Sequence, residues 1–132
     1  MEKNLDFPPE FREVKNVVAI DFDGVIHDDY LGYHDGTIYG EMLPGAGECL
    51  KDIASKYKIV IFTAKARHDR PLVSGKDGIE LVWEWLEKNG ISRYVEEVTA
   101  TKPRASLYID DKALRFNSWT EMRQELSELG FL

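Results

Sequence analysis

The chain has 132 residues, 43% of them hydrophobic, enough for one domain with a core of its own and too few for a second. A formal net charge of −7, from 24 acidic against 17 basic residues, argues against a nucleic-acid partner by repelling its backbone on average. One cysteine, Cys49, excludes an intramolecular disulfide, and no apolar run approaches the ~20 residues that cross a bilayer.

The opening stretch, Met1 to Phe11, is charged and proline-bearing and lacks the apolar centre of a secretory leader, so the cytoplasm is the expected location. Val17 to Phe22 (VVAIDF) is a β-branched, continuously apolar run ending in acids and a glycine. That pattern predicts a strand buried on both faces. Residues 25–43 break the rhythm: Asp35–Gly36, between Tyr33 and Ile38–Tyr39, predicts the turn of a small β-hairpin flap over the strand ends. His27 and His34 fall on or near this flap and are expected to be exposed.

From Gly47 to Tyr57, Leu50, Ile53, Ala54 and Tyr57 follow the spacing of one helix face, with Cys49 expected as a buried packing residue. Lys58 to Phe62 (KIVIF) predicts the second strand, ending at Thr63. Gly78 to Asn89 predicts a second helix, with Ile79, Val82, Trp83 and Leu86 on one face, Asp77 and Glu80 as a capping box, and Gly90 as its stop. Tyr94 to Ala100 is a weaker third strand, interrupted by Glu96 and Glu97, and Ser106 to Asp110 (SLYID) is the fourth. Ser118 and Glu121 open a last helix carrying Met122, Leu126 and Leu129. Trp83 and Trp119 read as core or interface anchors.

Strands alternating with helices predict an α/β domain spanning 1–132, a parallel sheet with helices on both faces. Ligands of such sheets bind beyond the carboxyl ends of the strands. The polar residues gather there: Asp21 and Asp23 after the first strand, Thr63 after the second, Asp110 and Asp111 after the fourth.

Carboxylates crowded at one place repel unless a proton or a cation relieves them. Magnesium, a hard ion that takes carboxylates, waters and a phosphate, is the natural partner for such a set. Gly24 permits a sharp turn that leaves amides facing an anion. Lys102 supplies positive charge, and the Thr63 hydroxyl a hydrogen bond. The loop after Thr63, AKARHDRP, is richer in base than the rest of the chain; Ala64, Lys65 and Arg67 are candidate substrate contacts there, with His68 and Arg70 beyond them. Phosphoryl transfer asks a protein mainly for positioning and charge neutralisation, and an ionised Asp21 has the chemistry to attack phosphorus. No histidine spacing suits zinc.

DFDGV from Asp21 to Val25, the apolar strand ending at Thr63, Lys102–Pro103, and the acidic pair after YID at Asp110 and Asp111 resemble, in order, the four motifs of the haloacid dehalogenase (HAD) superfamily of phosphatases. The resemblance covers about Val17 to Phe116. It implies a HAD-like Rossmannoid fold and Asp21 as nucleophile and Mg²⁺ ligand. Asp23 is then acid/base with its carbonyl on the metal, Thr63 and Lys102 hold the phosphoryl group, and Asp110 completes the metal shell with Asp111 beside it. An acid at Asp23 favours phosphate esters over carbon–halogen bonds. Neither gap between motifs has room for a cap domain. A capless member implies a large phosphorylated substrate, or a homo-oligomer that closes the site over a small one. Two rival readings remain: a phosphoacceptor signalling module, and a catalytically inactive binding protein on the same fold.

Overall fold

The computed structural model describes residues 16–132; the charged N-terminal stretch lies outside them. Four parallel strands, β1 (Val17–Asp21), β2 (Lys58–Phe62), β3 (Glu97–Thr99) and β4 (Leu107–Ile109), form a sheet in the order β3-β2-β1-β4. Among the described residues three α-helices accompany them: α1 (Ala46–Ala54), α2 (Gly78–Lys88) and α3 (Trp119–Glu128). No helix among the described residues is long and apolar enough to cross a membrane.

The β-branched runs sit centrally because both of their faces are covered. Val18 and Ile20 of β1 stand in register with Ile59 and Ile61 of β2, and these four pack with Leu50 of α1 and Val82, Trp85 and Leu86 of α2 in one cluster. Burying each such aliphatic side chain contributes roughly 1.5–3 kcal/mol. Ala19 and Val60, on the opposite face, are also buried. The connections β1–α1–β2 and β2–α2–β3 step the same way across the sheet, so right-handed crossovers put α1 and α2 on one face. The expectation of helices on both faces is therefore not met by this pair. α3 follows β4 at the other edge and buries Met122.

The helix starts follow the predicted caps. Asp77 accepts the Glu80 N–H at 2.9 Å and the Glu80 side chain returns to the Asp77 N–H, while Ser118 Oγ accepts from the Glu121 N–H at 3.2 Å. Elsewhere the expectations need correction. Cys49 is exposed, because α1 turns Leu50 inward and its neighbour falls about 100° away. Trp119 is 74% exposed and so is no core residue, its interface reading being untouched, whereas Trp83 is half-buried against the core. The third strand shrinks to three residues, since Ser92–Tyr94 wind into a 3-10 turn first.

Segment 25–43 is a closed loop with one antiparallel bridge, His27 to Met42, at its neck, in place of the β-hairpin expected. Its neck is narrow: the Asp28 N–H bonds Glu41 O at 2.9 Å and the Leu43 N–H bonds Ile26 O at 2.8 Å. Between these the chain makes turns, with Asp35 accepting from both the N–H and the hydroxyl of Thr37. The Tyr39 hydroxyl accepts the Leu31 N–H and donates to Gly32 O, tying the two arms by a side chain where a ladder would need backbone pairs.

Candidate functional site

The register aligns the carboxyl ends of the strands: Asp21 faces Phe62, Phe62 faces Thr99, and Ile20 faces Ile109. Asp21 closes β1 half-buried, and one of its oxygens accepts the Phe22 N–H at 2.8 Å. The chain then winds through a single tight turn in which the amides of Val25, Ile26 and His27 all point at Phe22 O. Gly24 makes this turn at φ 81°, and a Cβ there would lie 2.4 Å from Asp111 Oδ2. The left-handed backbone is what favours glycine here, and any side chain would also push the Asp111 carboxylate aside.

Oxygens of Asp21, Asp110 and Asp111 lie within 4.8 Å of one another. Asp110 and Asp111 are braced from Lys112, whose N–H bonds Asp110 Oδ1 at 2.8 Å and whose ammonium meets Asp111 Oδ2 at 3.2 Å. Burial lifts the Asp21 carboxyl to about 6, the Phe22 N–H partly offsets this, and the charges of Asp110, Asp111 and Asp23 add to the rise. Three hard oxygen donors converging on one point, with their repulsion incompletely relieved, fit a divalent cation such as Mg²⁺.

A raised carboxyl pKa means that the folded chain holds the Asp21 proton more tightly than the unfolded one. Without metal, stability therefore falls as the pH climbs from about 4 through 6, and the loss is complete above that window. Added Mg²⁺ is expected to raise the melting temperature most above pH 6 and progressively less below it. Scanning calorimetry with and without chelator across pH 4.5–8 measures this, and a metal response that is absent or independent of pH would remove the cation from this site.

Asp23 has both oxygens engaged. His27 Nδ1 lies 2.9 Å from Oδ1, and the Lys65 ammonium lies 3.6 Å from Oδ2. His27 is fully buried, stacked on Phe22 and set edge-on to Trp85, contrary to the exposed role expected for it. Its second nitrogen accepts the Gly40 N–H at 2.9 Å, and Gly40 O accepts the Trp85 indole N–H at 3.0 Å.

The other predicted residues divide into those that reach this cluster and those that do not. Thr63 is buried at the end of β2, where its N–H bonds Thr99 O and its hydroxyl accepts the Lys65 N–H at 3.2 Å, shaping the short 3-10 turn Ala64–Ala66. That turn carries Lys65 inward, to 6% exposure, beside Asp23. Ala64 stays at the surface, and Arg67 is exposed and bound by Asp69. Lys102 is exposed; its ammonium lies 4.3 Å from the Tyr108 ring centre and 5.9 Å from that of Phe62, and it has no carboxylate partner among the described residues. Tyr33 of the loop has Arg70 at 4.3 Å and Lys65 at 5.3 Å from its ring centre, so the loop docks on the segment after β2 through cation–π contacts. His34 remains exposed.

Sequence reasoning missed His27 and Gly40. The signal for His27 was its place four residues after Asp23, where one turn of helix brings i and i+4 together. Gly40 carried no such local signal. No family model, no curated protein and no solved structure matches this chain.

Proposed function

We propose that the chain is a Mg²⁺-dependent phosphatase that cleaves phosphomonoesters through an aspartyl phosphate on Asp21, working as a capless member of the HAD superfamily. The observation that carries this reading is the meeting of Asp21 with Asp110 and Asp111, from opposite ends of the chain, with Asp23 two residues on. Asp21, Asp110 and Asp111 would hold the ion, which when bound offsets their charge and that of the substrate phosphate.

In the first step an ionised Asp21 oxygen forms a bond to phosphorus while the ester bond breaks, and Asp23 gives its proton to the departing oxygen, which leaves as an alcohol. In the second, water attacks phosphorus, Asp23 takes a proton from it, and the acyl phosphate bond breaks to free Asp21 and inorganic phosphate. Positive charge for the equatorial oxygens comes from Lys102, whose ammonium no carboxylate claims among the described residues, and from Lys65. Thr63 shapes the turn that delivers Lys65.

Between β2 and β3 the chain has only α2 and two 3-10 turns, and between β1 and α1 only the closed loop. An open site of this kind suits a phosphorylated macromolecule or its end, or a small phosphoester in an oligomer whose neighbouring subunit covers it. The acidic balance disfavours nucleic acid, and a cytoplasmic setting fits the single free cysteine. Phosphate release from a panel of phosphomonoesters, with Mg²⁺ and with chelator, tests the proposal. Release that persists undiminished in chelator would refute it.

A further inference from the structure

We infer that His27 is a positioning residue that decides which oxygen of Asp23 carries the proton in catalysis; this rests on the acid/base role proposed for Asp23. A histidine at 0% exposure needs partners for both ring nitrogens, and His27 has them in Asp23 Oδ1 and the Gly40 N–H. A backbone N–H only donates, so Nε2 is an acceptor and bears no proton. The ring proton therefore sits on Nδ1 and is donated to Asp23 Oδ1.

Nothing in this chain of bonds has room to reverse. The indole of Trp85 is donor-only and holds Gly40 through its carbonyl, 45 residues away in sequence. Gly40 itself is wedged: a Cβ would stand 1.9 Å from Asp28 O and 2.8 Å from His27 Nε2. The polarity thus runs from Trp85 and Gly40 through His27 to Asp23. His27, with Nε2 occupied, does not relay protons. It pins Oδ1 as an acceptor and leaves Oδ2, the oxygen 3.6 Å from the Lys65 ammonium, to pass the proton to the leaving group and take one from water. The closed loop is in this way wired to Asp23.

Two measurements test this. Long-range proton–nitrogen NMR correlations on the wild-type chain should show His27 neutral, with its proton on Nδ1; a proton on Nε2 overturns the inference and needs no variant. The second compares kcat/KM, which reports the step that expels the leaving group, for phenyl phosphate and 2,4-dinitrophenyl phosphate. His27→Gln can still accept from Gly40 but no longer places a donor at the Nδ1 position, whereas His27→Asn keeps that donor. The Gln variant should lose roughly 10²-fold on phenyl phosphate, whose leaving group needs a proton, and under about 3-fold on the dinitrophenyl ester, which does not. The Asn variant should stay close to wild type on both. Equal losses on the two esters, or none, would reduce His27 to packing. Asp21→Asn serves as the control on the underlying reading: if it still hydrolyses phenyl phosphate, the proposed reaction fails, while the NMR result stands or falls by itself.

Discussion

Asp21→Asn is expected to lower Mg²⁺-dependent phosphate release by at least about 10³-fold, the scale on which removing a nucleophile acts. The substitution keeps shape and volume but removes the charge that would attack phosphorus. It should also leave the fold intact and strengthen it. At pH 7.5 without metal, wild-type Asp21 is ionised against the preference of its half-buried place beside Asp110, Asp111 and Asp23. Asn carries none of that repulsion, so the melting temperature of the variant should exceed that of the wild type in chelator, and the advantage should fade as the pH drops below 6. A variant that keeps more than a tenth of the activity would take Asp21 out of the reaction; one that merely unfolds would show it in the same melting curve.

Gly40→Ala should give the largest loss of stability among single-methyl changes in the loop. The added carbon meets a backbone carbonyl, Asp28 O, at 1.9 Å, and backbone cannot rotate away as a side chain can. Relief requires moving the 39–41 segment, which breaks the bonds to His27 and Trp85 and leaves buried polar atoms of both without partners. Overpacking together with one such orphaned group comes to about 3 kcal/mol or more, a fall in melting temperature of roughly 10 °C for a domain of this size. Urea denaturation of the purified variant measures it. A change below about 1 kcal/mol would mean that the loop shifts freely and that its register with His27 is loose.

Much of the carboxylate cluster was legible in the sequence, for a simple reason. Apolar β-branched runs ending in acids mark strands of a parallel sheet, and a parallel sheet brings all such ends to one edge. That logic needs no knowledge of distance, so Asp21, Asp110 and Asp111 could be grouped across nearly ninety residues. It failed where a contact depends on one side chain reaching a partner far away. His27, Gly40 and Trp85 lie 13 and 45 residues apart in successive steps, and no periodicity links them. The loop was misread for a related reason: Asp35–Gly36 is a good turn, but the Tyr39 hydroxyl closes the arms in place of a ladder. The sequence marks Lys102 by its motif and Lys65 only by a basic loop, and it takes the fold to show Lys65 buried at Asp23 and Lys102 exposed over aromatic rings.

β4 is three residues long, lies at the rim of the sheet and is paired among the described residues with β1 alone, and both Leu107 and Tyr108 remain open to solvent. Two of the three acids thus follow a short edge strand, while Asp21 closes a strand paired on both sides. Local opening of that rim should disperse Asp110 and Asp111 without disturbing the centre, at a cost well below that of global unfolding. A bound divalent cation would act as a staple across this seam. Amide deuterium exchange at Ile109–Lys112 should accordingly slow when Mg²⁺ is added, while the already protected amides of Ile59–Ile61 keep their rates.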